Sequence, residues 1–122
     1  MKFSLDRPAG TYLIGSYAPG EVRIGERSLR QSLIVTAASL IEDWRPRTMD
    51  DLQPIDLEPI LALRPAVLLF GSGPRQQFPA RAVLASLYAA RVGFEIMDSG
   101  AACRTYNVLV AEGREVAAAL ML

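Results

Sequence analysis

Ala66-Val67-Leu68-Leu69-Phe70-Gly71-Ser72-Gly73 is the stretch whose reading decides the fold. Its first five residues form an unbroken apolar run, the pattern of a strand covered on both faces. Glycine, serine and glycine then signal a turn, and a loop over Gly71–Phe78 leads into helical sequence. Over Pro79–Val92 the proline suits a first helical turn. Val83, Leu84, Leu87, Tyr88 and Arg91 line one stripe, and Gly93 is expected to close the helix. Phe94–Met97 reads as the next strand, Ser99–Glu112 as a second helix closed by Gly113, and Arg114–Leu122 as a final strand. This β-α-β-α-β order predicts parallel interior strands with right-handed crossovers.

Upstream the punctuation changes. Tyr12–Tyr17 is rich in β-formers, Ala18-Pro19-Gly20 signals a turn, and Glu21–Ile24 alternates polar with apolar. Gly25-Glu26 is a second turn, and Leu29–Thr36 reads as one strand. The spacing is that of an antiparallel meander. Glu42–Gln53, with Trp44 and Pro46, reads as an irregular connection anchored by its tryptophan. Asp56–Leu63 reads as a short helix capped by Asp56, with Pro59 in its first turn and Pro65 after its end. A meander joined to a βαβαβ unit gives an α/β or α+β fold with a layered core.

Composition narrows the chemistry. The 122 residues suit a single domain, taken here as residues 1–122. Thirteen basic residues balance thirteen acidic ones, which argues against nucleic acid as a partner. Without histidine there is no imidazole base, Ser-His-Asp triad or imidazole metal site. One cysteine excludes internal disulfides and CxxC pairs. No catalytic residue, metal or cofactor is assigned. The N-terminal Met1–Asp6 shows no leader pattern. The longest apolar runs noted, Ala66–Phe70 and Val116–Leu122, have five and seven residues, against about 20 for a membrane span. A cytoplasmic chain without membrane insertion is expected.

The candidate ligand site is the loop after the apolar strand. Gly71, Ser72 and Gly73 could offer backbone N–H groups, Arg75 a guanidinium, and Asp98 a carboxylate at the end of the next strand. Such a site would suit a small anion or polar ligand. Gln76 stands where GxGxxG needs its third glycine, and GxxxxGK[ST] is absent, so neither phosphate motif is complete. The structural alternative is a glycine-lined turn needing positive φ, with Asp98 or Ser99 capping the next helix. Asn107 is expected to hydrogen-bond backbone of an adjoining strand or of the loop, or else to touch a ligand. Cys103 falls on the inner face of its helix as a packing residue, with Tyr106 beside it.

The chain resembles the Mth-type domain family. The resemblance rests on Gly71-Ser72-Gly73 after an apolar strand, Glu95-Ile96-Met97-Asp98, Ala102-Cys103-Arg104-Thr105-Tyr106-Asn107 and Glu112-Gly113-Arg114, with Tyr17 and Trp44 in support. It covers nearly the whole chain and fits a bacterial-type member. It implies a three-layer β+β/α fold. A mitochondrial complex I assembly factor is a eukaryotic relative, which implies an assembly role rather than a chemistry. The functional expectation is a non-catalytic interaction or assembly module with a protein partner. The alternatives are a small-ligand binder at Gly71–Arg75 and Asp98, and an enzyme using Asp98, Cys103 or Asn107.

Overall fold

A computed structural model describes residues 10–122. The leader reading of Met1–Asp6 lies outside these described residues.

Strands β1 (Ile14–Ala18), β2 (Glu21–Ile24) and β3 (Arg27–Leu29) form an antiparallel sheet in that order. Val22 pairs with both Tyr17 and Leu29 across it. Val22, Ile24 and Leu29 are buried while Arg23 and Ser28 are exposed, the alternation of a sheet with one wet face.

The expected strand Leu29–Thr36 is broken. Leu29 ends β3, and Leu33–Thr36 forms β4 in a different sheet, pairing Leu33 with Leu120. The polar Arg30-Gln31-Ser32 carries the chain between sheets, and the Ser32 carbonyl accepts the Trp44 N–H at 2.9 Å. A short β5 (Leu40–Ile41), not foreseen, returns against β4. Its turn is held by the Thr36 hydroxyl, which accepts N–H groups from Ala38 and Ser39 at 3.3 and 2.9 Å.

The second sheet has the order β5-β4-β8-β6-β7, with β6 spanning Val67–Ser72, β7 Gly93–Met97 and β8 Val116–Met121. β6 runs parallel to both β7 and β8, whereas β4 is antiparallel to β8. Helix α2 (Arg81–Ala90) joins β6 to β7, and α3 (Ser99–Ala111) joins β7 to β8. On one face, Leu33, Val35, Leu69 and Leu120 pack on Cys103 and Tyr106 of α3 and on the small sheet. On the other, Ile34, Leu68 and Phe70 pack on Val83 and Leu87 of α2 and on Trp44, Met49 and Ile60. The mixed α+β architecture, a meander followed by βαβαβ, is therefore observed.

Three local expectations need correction. Helix α2 is shorter than Pro79–Val92, and Tyr88, placed on its inner stripe, is 70% exposed. Arg91, also assigned to that stripe, instead ends the helix in the left-handed conformation (φ 57°), while Gly93 opens β7. Asp56–Leu63 is not one helix: a 3-10 turn at Pro54–Leu57 runs into a single α-turn, α1 (Glu58–Leu61). Asp56 reaches back rather than capping forward. Its carboxylate accepts the Gln53 N–H at 2.8 Å and the Arg45 Nε–H at 2.9 Å. The Trp44 anchor is observed: the ring is buried and Nε1–H donates to the Asp56 carbonyl at 3.0 Å.

Candidate functional site

Parallel β6 and β7 end on the same side of the sheet, so Gly71, Ser72, Gly73 and Asp98 meet there. Gly71 and Ser72 belong to β6 itself, and the turn begins at Gly73, whose φ is +97°. Glycine is needed at Gly71 for a different reason. A β-carbon there would stand 2.8 Å from Ser99 Oγ and 2.9 Å from Leu120 Cδ2. α3 starts hard against this strand end.

Ser99 makes that approach specific. It is fully buried; its hydroxyl donates to the Met121 carbonyl at 2.5 Å and accepts the Gly73 N–H at 2.8 Å. Its own N–H donates to the Gly73 carbonyl at 2.8 Å. One serine thus ties the ends of β6 and β8 to the first turn of α3. The sequence hinted at Ser99 only as an alternative helix cap.

The other candidates are engaged as well. Ser72 Oγ accepts the Gln77 N–H at 3.0 Å and lies 2.8 and 3.1 Å from the carbonyls of Arg75 and Met97. Asp98 caps α3, accepting the Ala101 N–H at 2.8 Å. Arg75 is exposed at the loop's tip. Asn107 lies apart from this cluster. Its Oδ1 accepts the Ile14 N–H at 2.9 Å and its Nδ2 donates to the Ile14 carbonyl at 2.8 Å. Both arms of the amide thus bind one residue of β1. The Tyr106 hydroxyl donates to the Tyr12 carbonyl at 2.7 Å, one step along the same seam. Together they fasten α3 to the small sheet, a backbone partner of the kind the sequence anticipated for Asn107.

Electrostatics match the packing. Burial pushes the Cys103 thiol up to about 12 and raises the Tyr106 hydroxyl above its ordinary range. Tyr17 is raised chiefly by burial, then by the negative forms of Cys103 and Asp98. A thiol held protonated is a poor nucleophile.

Residues 14–121 match the family described as "Protein of unknown function (DUF498/DUF598)". A solved Xanthomonas campestris structure is 40% identical, with TM-score 0.84 over 99% of this chain and 92% of that one. A Bordetella pertussis structure described as a Mth938-like domain is 26% identical, with TM-score 0.81 over 99% of this chain and 92% of that one. Among curated relatives, a Francisella tularensis protein named "13 kDa major membrane protein" is 32% identical over 82% of each chain. A Danio rerio protein named NADH dehydrogenase [ubiquinone] 1 alpha subcomplex assembly factor 3 is 30% identical over 93% of this chain and 65% of that one. No helix among the described residues is long and apolar enough to cross a membrane.

Proposed function

We propose that this chain, which belongs to the DUF498/DUF598 family, is a non-catalytic assembly module that holds a protein partner on the outer face of α2. The observation that carries the reading is the makeup of that face. Phe78, just before the helix, is 61% exposed and Tyr88, near its end, is 70% exposed. Ala82 and Ala85 between them, and Ala89 just after Tyr88, are all exposed. Small residues let a partner's backbone come close, and flanking aromatics are the side chains that most often anchor interfaces. Tyr88 is held in place by an edge-on contact with Phe94 of β7, ring centres 5.5 Å apart. The assembly-factor name of the Danio rerio relative supports the same reading.

The test is affinity capture from the native cell with wild type and with Tyr88→Arg, which leaves the buried side of α2 untouched. A partner recovered by wild type and lost by the variant, at unchanged thermal stability, supports the reading. Identical capture by both would count against it. We place this activity in the cytoplasm; recovery of the native protein in the membrane fraction would overturn that. A second reading keeps a small anion at Gly71–Arg75 and Asp98, because the Arg75 side chain is exposed and has no ion-pair partner among the described residues.

A further inference from the structure

At the pole of the main sheet opposite the Gly71–Arg75 loop lies a cleft of about 520 Å³, a size common for small-ligand sites. Four segments wall it: Thr11 ahead of β1, the turn between β4 and β5, the Leu63–Pro65 connection, and the stretch from the end of α3 into β8. Leu63, Pro65, Val110 and Val116 supply apolar surface, and Thr36, Arg64, Arg114 and Glu115 supply polar groups.

The walls are fixed by backbone bonds. The Ala66 and Val67 N–H groups both donate to the Glu115 carbonyl, at 2.8 and 3.2 Å. The Gly113 and Arg114 N–H groups return to the Val110 and Leu109 carbonyls at 3.0 and 2.9 Å, the doubled closure of a helix that ends in a left-handed glycine. Arg64 itself holds φ at +50°, a conformation that a non-glycine residue rarely adopts, and such residues cluster at ligand clamps. Among the described residues neither Arg64 nor Arg114 has an ion-pair partner.

We propose that this cleft binds a small organic monocarboxylate, with the Arg64 and Arg114 guanidinium groups on the carboxylate and the apolar wall under its body. Charge sets the class of ligand. Two guanidinium groups against Glu115 leave a surplus of one positive charge, and the carbonyl end of α3 offsets roughly half of it. That suits a single negative charge better than a phosphate dianion. The planar guanidinium fork matches a carboxylate's two oxygens. The apolar wall then favours a ligand with a short hydrocarbon or aromatic body over acetate.

The experiment is an amide chemical-shift titration of the full chain at fixed pH and ionic strength. The probes are phenylacetate, its neutral amide phenylacetamide, and inorganic phosphate. The expected result is saturable shifts with phenylacetate confined to residues 36–39, 63–67 and 110–116. Phenylacetamide and phosphate should produce no matching saturation. Arg64→Gly, which keeps the left-handed backbone, combined with Arg114→Gln should weaken phenylacetate by at least about tenfold. The variant's spectrum should otherwise match wild type, and its α2 face is untouched, so the outcome is separable from partner capture. Failure to saturate, equal response to the amide or to phosphate, or undiminished binding by the double variant would each overturn the proposal.

Discussion

Asn107→Ala tests how α3 is fastened to the small sheet. Asn107 is 2% exposed, and Ile14, whose backbone it meets with both amide arms, is 1% exposed. Truncation strands one buried N–H and one buried carbonyl. Each such group costs about 1–3 kcal/mol, so the pair costs about 2–6 kcal/mol if water stays out. That is a large share of a typical stability of about 5–15 kcal/mol. The assay is urea unfolding followed by fluorescence and circular dichroism, with the slope checked for constancy. Two further variants separate the causes. Asn107→Leu excludes water while leaving both Ile14 groups stranded, so it should be at least as damaging as alanine. Asn107→Asp keeps the shape. When protonated it can both accept and donate, as asparagine does; when ionised it sets a second negative oxygen against the Ile14 carbonyl. Its folded-state pKa should therefore lie above its unfolded value near about 3.9. Folded chains then bind more protons, so the variant loses stability as pH rises through that window. Leucine proving milder than alanine, or a midpoint for alanine equal to wild type, would show that the paired amide bonds do not hold the seam.

Three other outcomes follow from the same geometry. Gly71→Ala puts a methyl group 2.8 Å from Ser99 Oγ and 3.0 Å from the Ser99 backbone, and the overpacking should cost about 1–3 kcal/mol in thermal unfolding. Cys103 is buried, its thiol held protonated to about pH 12, so labelling in the native state should be far slower than in denaturant; equal rates would refute burial. Asp56 is held below the usual carboxylate range chiefly by its bond from Arg45, and also by the Gln53 N–H. Its stabilisation is full above the unfolded carboxylate pKa and is lost as pH falls through the lower folded one. Asp56→Asn should flatten the acid side of the stability profile, and an unchanged acid slope would refute the assignment.

Local signals exposed much of this fold. The apolar run at Ala66–Phe70 reads as a strand covered on both faces; its Val67–Phe70 part opens β6, which lies between two parallel neighbours, while Ala66 precedes the strand and is exposed. The breaks came where distant partners decide. Leu29 and Leu33 look like one strand, yet their pairing residues are Val22 and Leu120, in different sheets; the short span contains nothing that reports this. Arg91 adopts the left-handed stop that sequence assigned to Gly93, since glycine is favoured there but not required. Ser99 escaped for the same reason as the broken strand. Its hydroxyl partners Gly73 and Met121 lie 26 and 22 residues away, so no short-range spacing could reveal the clamp.

The residues that carry the family resemblance are in large part the residues that build those clamps. Gly71 permits the approach of Ser99, Gly73 bonds to it, Asp98 caps α3, and Tyr106 and Asn107 fasten that helix to the small sheet. Their polar groups are turned on one another and on backbone. A motif of this kind identifies the architecture and says little about the task. Groups that face outward include Phe78 and Tyr88 on the α2 face and Arg64, Arg75 and Arg114 on the loops; of these five only Arg114 belongs to a motif stretch. Substitutions therefore divide into two kinds with different readouts. Within the clamps, as at Asn107 or Gly71, the midpoint of unfolding moves. At Tyr88 or Arg64 the fold should hold and binding alone should change. If Tyr88→Arg destabilised the chain as much as Asn107→Ala, the aromatic would be serving the scaffold through Phe94, and the α2 face would lose its claim to a partner.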